Sequence, residues 1–487
     1  MNRDRPHERT LVDYSVCGSG DSPRPVADPS NVDTPQQEAT RFFEMCWVDQ
    51  AHTDARQLLE ALIAIAKEDA AKESFLSYVE AALETRTSRE VAAKLHTAPT
   101  IHLVTLRGAF LGVMRKIIGL QQALLQRSKE YANSAIPYYT HLQQAQPGTL
   151  GHYLLSKLAV LDDDFGRCKD AYVRMNRNPL GGVGRSGTGW PIDRSITTRL
   201  LGFDDIIDNS LLCRDTNYAA EMASILAIMM SHVNDIASDL QLWFTREFNY
   251  ITLPDGFCSF SSIFPQKKNP VTLDGIRQLT GPAVNWGSSA LATYRCLGTG
   301  DQIVHSMPLE LAGAISTTNG VLSHMSEVVM AFGFNEEHAS QVLKDGWSTL
   351  SNLTDWLAQK TGIPFRVGHD IVIGLFADCT ASRLRCAEIT AAMVMAKVKA
   401  LTGQEIWLTQ EDVDSALDPA EFIRTRVSTG GIGPMEVQRM IADAGASIVR
   451  NSSWVTEKEE QIDFAQQLLA VEIFSITHMG ICARSHL

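Results

Sequence analysis

The sequence predicts an all-α protein. Apolar residues recur at three- and four-residue steps over long stretches, strand-like alternation is scarce, and Gly and Pro gather in a few polar breaks between the stretches. The expected architecture is an elongated bundle of long helices between two smaller helical units. Residues 1–37 read as a flexible leader, 38–97 as an N-terminal helical domain, 98–362 as the central bundle and 363–487 as a C-terminal helical domain.

The leader is rich in Pro, Asp, Ser and Arg and lacks the apolar core of a signal peptide. Helical periodicity starts near Glu38 and continues through "RFFEMCWVDQAHTDARQLLEALIAIAKEDAAKESFLSYVEAALETR". In "HLVTLRGAFLGVMRKIIGLQQALLQRSKEY", Leu103, Leu106, Phe110, Met114, Ile117, Leu120 and Leu124 form one stripe, which predicts a single long amphipathic helix. "NYAAEMASILAIMMSHVNDIASDLQLWFTREF" and "TASRLRCAEITAAMVMAKVKALTG" are apolar on more than one face, as helices buried on several sides are. The breaks are "IPYYTHLQQAQPGTLGH", "NPLGGVGRSGTGWPIDR", "LPDGFCSFSSIFPQKKNP" and "VSTGGIGP". On a rigid helical scaffold, such breaks are where chemistry sits.

Composition narrows the function. Of 487 residues, 45% are hydrophobic and 20% charged, an ordinary globular balance, and the formal net charge of −13 argues against a nucleic-acid surface, which needs clustered cations. No apolar run reaches membrane-spanning length, so no membrane partner is expected. The nine cysteines show no pair with zinc-ribbon or thioredoxin spacing; free thiols in a reducing, cytoplasmic setting are the expectation. No His, Asp and Glu cluster has metal-ligand spacing, and no metal or organic cofactor is expected.

Two breaks carry chemical groups. "FSSIFPQKKNP" (260–270) sets two serines beside two lysines and an asparagine; cations and amides around a hydroxyl would favour its ionised form. In "YTHLQ", His141 lies between a hydroxyl and an amide, at what reads as a helix start, where it would serve as an acid or base near neutral pH. Taken alone, each stretch reads more readily as ordinary structure, a solvated loop or a satisfied histidine, than as a catalytic site. "GVGRSG" matches G-x-G-x-x-G at Gly182, Gly184 and Gly187, but the dinucleotide-binding version must follow a strand and open a helix, and here the Pro-terminated loop "TGWPIDR" follows, so a turn-rich connector is the better reading.

Taken together, these motifs resemble the aspartase/fumarase superfamily, and within it the argininosuccinate lyase branch. "FSSIFPQKKNP" resembles the signature Gly-Ser-Ser-x-Met-Pro-x-Lys-x-Asn-Pro, with Phe260 and Phe264 in place of the Gly and Met. "YYTHLQQAQPGTLGH", "PLGGVGRSGTGWPIDR", "IPFRVGHDIV" and "VEAALETRTSREVAAKLHT" are similar to further blocks of that branch, in the same order. The resemblance implies a three-part fold whose central bundle builds the core of a homotetramer from about twenty long helices, with each active site shared between chains. It implies a succinyl-type small-molecule substrate, cleaved at a C–N bond by β-elimination with release of fumarate. Carried over residue by residue, Ser261 is the base that takes the Cβ proton. Lys267 and Asn269 hold the carboxylate and its developing charge. Thr140 and His141 sit on the other side of the substrate, and Asp274 stands where a Glu would bind the histidine. Ser262, Gln143, Tyr294 and Arg194 complete the implied substrate-binding set.

The chain departs from the branch in two places. After "KLHT" it continues "APTIHLVTLRGAF" instead of "GRSRNDQ", whose Ser, Arg and Asn hold substrate carboxylates, and the interval to Thr140 is shorter by about two helical turns. His102, Arg107 and Arg185 are candidates to replace that clamp. Farther on, "YNKDLQEDK" becomes "YRCLGTGDQ", with Thr299 and Gln302 in place of a Gln and a Lys. Three readings stay open: a lyase of another N-substituted aspartate, a genuine argininosuccinate lyase of arginine biosynthesis, or a catalytically impaired structural paralogue.

Overall fold

A computed structural model describes residues 98–187, 193–214, 217–294 and 309–484, all within one compact unit, Ala51–Leu487. The expected leader and N-terminal domain lie outside the described residues.

Helix α1 (Ala98–Glu130) is the predicted amphipathic helix. All seven stripe residues, from Leu103 to Leu124, are buried, because the stripe faces α2 (Leu150–Met175), α7 (Leu309–Ala331) and the last helix, α14 (Pro434–Arg484). Its basic last turn suits the negative end of the helix dipole. There Arg127 bonds to Glu130 at 2.6 Å and Tyr131 at 2.9 Å, donates to the Phe332 carbonyl, and lies over the Tyr131 and Phe332 rings, which ties the ends of α1 and α7 together.

Helix α4 (Asn217–Phe244) is buried on several sides, as its all-round apolarity predicts. It packs against α2, α5 (Val271–Ala283), α6 (Trp286–Tyr294) and α7. Between α2 and α4 lies the short helix α3 (Arg194–Leu201). Asp193 caps it by accepting from the Ser195 amide at 2.8 Å, and Gly202 ends it in the left-handed conformation (φ 68°).

The other second-face expectation fails. "TASRLRCAEITAAMVMAKVKALTG" is not one helix: α10 (Phe365–Ala381) ends at its second residue, and α11 spans only Ala391–Thr402. Only Ala391, Val394 and Val398 of α11 are buried, a single face, because α11 lies at the edge of a small cluster rather than inside the bundle. That cluster also takes residues from α9 (Leu350–Thr361), α10 and α12 (Gln410–Leu417). Its buried part begins at Leu353, so the boundary expected at 362/363 falls inside it. After α13 (Pro419–Thr425), α14 leaves the cluster and returns to α1, α2 and α3.

The largest departure from all-helical expectation is a β-hairpin. Strands β1 (Ala135–Thr140) and β2 (Gln143–Thr149) pair antiparallel, from Ala135↔Thr149 to Thr140↔Gln143, with a shift between Pro137 and Tyr139. No helix starts at His141; α2 begins only after the hairpin, with Thr149 as its cap, accepting from the His152 amide at 3.2 Å. Pro147 and Gly148 disfavour helix at that point. Gly148 is obligatory, since a Cβ there would meet the Tyr138 ring at 2.2 Å.

Candidate active site

The hairpin presents the Thr140–Gln143 tip. His141 (φ 55°) and Leu142 (φ 58°) form its two-residue turn, both in the left-handed region that such hairpin turns require. Neither is a Gly or Asn, so the turn stores strain, a cost of order 1–2 kcal/mol for each such residue. All four tip residues are exposed, Leu142 by 66%. The base of the hairpin is firmly held. Tyr138 Oη lies 3.0 Å from the Thr149 carbonyl and 2.8 Å from His152 Nδ1, and His152 Nε2 reaches the Gly430 carbonyl at 3.0 Å. Tyr139 and Tyr250 share a 2.5 Å hydroxyl bond. A rigid base with an exposed, strained tip is an arrangement for presenting His141 outward.

The signature stretch is a second, smaller hairpin. β3 (Ser259–Phe260) pairs with β4 (Lys268–Asn269), and the Ser261 amide donates to the Lys267 carbonyl at 3.2 Å. The Ser261 hydroxyl accepts from the amides of Ile263 (3.2 Å) and Phe264 (3.0 Å). Two amide dipoles aimed at one oxygen stabilise negative charge on it, which a serine acting as a base needs. The two lysines separate in role. Lys268 donates to the Leu253 carbonyl at 2.6 Å and pairs with Asp255 at 2.7 Å, anchoring the hairpin. Lys267 is exposed and makes no ion pair among the described residues. Ser262 is exposed and Asn269 half-buried beside them.

Asp274 sits in the first turn of α5. Its Oδ1 accepts from Gln241 Nε2 at 2.5 Å, while Gln241 Oε1 accepts from Arg277 at 2.6 Å. Among the described residues no hydrogen bond joins Asp274 to His141, or the tip to the signature hairpin. Gln241 and Arg277 were not singled out in the sequence.

Arg194, expected on the substrate, is held by backbone carbonyls in this fold. Its guanidinium donates to the carbonyls of Leu180 (2.8 Å), Ile207 (3.0 Å) and Asn178 (3.0 Å), pinning the connector after α2 to the start of α3. Arg107 is likewise no replacement clamp. It is 2% exposed, bonds to Asn176 Oδ1 (3.2 Å) and the Leu201 carbonyl (2.5 Å), and stacks on Phe203. Burial pushes its pKa down to about 10. Arg185 lies in the connector with φ 85°, in the left-handed region, and His102 lies in α1. Tyr294 ends α6, and Thr299 and Gln302 lie outside the described residues.

A helical bundle that carries a Thr-His hairpin and a Ser-Ser/Lys-Asn hairpin at its breaks is the architecture of the fumarase/aspartase superfamily of lyases. The family profile described as "Lyase" matches residues 46–284, and that described as "Argininosuccinate lyase C-terminal" matches residues 347–424, the latter covering the whole of the small cluster. The chain belongs to the argininosuccinate lyase family, whose members are carbon–nitrogen lyases. It is 34% identical to the argininosuccinate lyase of Methanothrix thermoacetophila, over 76% of this chain and 77% of that one. It is 30% identical to that of Methanosarcina acetivorans, over 87% and 90%. Among solved structures, an EDDS lyase variant with bound fumarate superposes with a TM-score of 0.79 at 26% identity, covering 92% of this chain and 96% of that one. The 3-carboxy-cis,cis-muconate lactonizing enzyme of Pseudomonas putida shares the fold, with a TM-score of 0.62 at 16% identity, over 84% and 97%.

Proposed function

We propose that this protein splits an N-substituted aspartate into fumarate and an amine by anti β-elimination. Ser261 takes the Cβ proton, the electron pair forms the new double bond, and the C–N bond breaks with its electrons passing to nitrogen. His141 gives the amine a proton or orients the water that does. Lys267, Asn269 and Ser262 hold the carboxylate on which charge builds, because fixed cations and amides stabilise an aci-carboxylate better than water does. Thr140, Gln143 and Tyr294 contact the substrate from the other side, and Asp274 acts behind His141. The observation that carries the reading is the pair of amides on the Ser261 hydroxyl, with exposed Lys267 in the same hairpin.

The exposed tip, together with the exposed apolar residues Ile228, Leu279, Val284 and Leu291 on and beside α4–α6, supports a homotetramer in which neighbouring copies complete each site. The named relatives favour argininosuccinate itself as a second reading. Against it stands the changed segment after His96, since an uncompensated carboxylate in a closed site costs about 3–5 kcal/mol. The test is fumarate release, followed by its ultraviolet absorbance, from argininosuccinate, aspartate and other N-substituted aspartates, and its consumption with amines. Flat traces from a well-folded oligomer would instead mark an impaired paralogue.

A further inference from the structure

Resting on the lyase reading above, we infer that Ile263 and Phe264 form an apolar wall against the leaving amine, so that the preferred substrate carries an uncharged, apolar N-substituent rather than a guanidinium or ammonium group.

The geometry starts from Ser261. Its hydroxyl is held by the amides of Ile263 and Phe264, so these two residues lie within one turn of the base wherever the hairpin moves. Their side chains face solvent, 76% and 51% exposed, and Phe260 on the flanking strand is 61% exposed. Three large apolar side chains in five residues are unfavourable in water and gain by being covered when the hairpin closes on its substrate. The succinyl half is no match for them. It offers two carboxylates, which suit Lys267 and Asn269. The remaining part of the substrate is the group on nitrogen.

Charge points the same way. Residues 259–270 contain two lysines and no acid. The nearest carboxylates in the sequence, Asp255 and Asp274, are engaged by Lys268 and Gln241. With Lys267 taken up by the substrate's own carboxylate, the hairpin has no free acid left to pair with a cationic leaving group. An alkyl or aryl substituent needs no such partner.

The measurement is kcat/KM for fumarate release from four substrates: N-benzylaspartate, N-butylaspartate, argininosuccinate and N-(2-aminoethyl)aspartate. It is repeated with Phe264→Ala, Ile263→Ala and Phe264→Met, and each variant's oligomeric state is read by light scattering. The wild type should favour the two apolar substrates. In Phe264→Ala and Ile263→Ala the ratio of apolar to charged substrates should fall by about tenfold or more, the scale on which a hydrophobic pocket discriminates. Phe264→Met should restore most of it. A wild type that prefers argininosuccinate or the aminoethyl compound overturns this inference and leaves the lyase reading standing. So does an equal loss on all four substrates, or a loss that accompanies dissociation of the oligomer, since the two side chains would then be covered by another copy. No fumarate from any substrate overturns both.

Discussion

At the scale of single residues, neighbours in sequence have separate duties. Lys267 and Lys268 are adjacent, yet Lys268 is spent on Leu253 and Asp255 while Lys267 stays exposed. Ser261 has two amide donors, and its replacement by Ala removes the proposed base without removing any buried contact. Fumarate release by Ser261→Ala should fall by roughly 100-fold or more, the usual contribution of a general base, with an unchanged melting temperature. Turnover near the wild-type value would remove Ser261 from that role. Arg194 should behave in the opposite way. In Arg194→Met three carbonyls lose their donor, so stability should drop by about 1–3 kcal/mol, measurable by urea denaturation. A weakened KM with undiminished stability would return Arg194 to the substrate. The sequence motif marks both arginine and serine alike; only the bond partners tell a ligand from a scaffold.

At the scale of elements, the hairpin is the instructive case. Its tip sets two left-handed residues, His141 and Leu142, where glycine or asparagine is the comfortable choice. Leu142→Asn, which tolerates that conformation, should raise stability by about 1 kcal/mol, seen as a higher melting temperature. A lower melting temperature would show instead that Leu142 is buried against another copy. The sequence was legible for α1 and α4 because their apolar residues repeat over many turns. It was not legible for the hairpin, whose six- and seven-residue strands contain Pro, Gly and polar residues without clean alternation. Nor was it legible for α11, because an apolar composition does not say how many faces find a partner.

At the scale of the whole molecule, the groups of the proposed reaction sit on different elements of the chain: His141 at the β1–β2 tip, Ser261 and Lys267 in the smaller hairpin, Asp274 in α5. No hydrogen bond among the described residues links His141 to Asp274 or to the Ser261 hairpin. If neighbouring copies complete each site, two inactive variants should rescue each other. Ser261→Ala and His141→Asn, unfolded together and refolded as a mixture, should recover part of the wild-type rate, because some sites then combine an intact Ser261 with an intact His141. Activity no higher than that of either variant alone would mean that the two residues act within one chain, and the measured mass of the refolded species would report the assembly.

By itself, the sequence determined the helical class, the long buried stripe of α1 and the identity of the chemical groups, since periodicity and motif spacing are local properties that survive in a linear reading. Tertiary structure decided which of those groups are free to act. Arg107 and Arg194 are withdrawn into the scaffold by carbonyls and amides that converge on them from positions up to 94 residues away. Lys267, His141 and the amide-held Ser261 are left outward. Whether a cation or a hydroxyl is consumed by the fold or presented to a substrate depends on which distant polar groups reach it, and that is fixed only when the chain is packed.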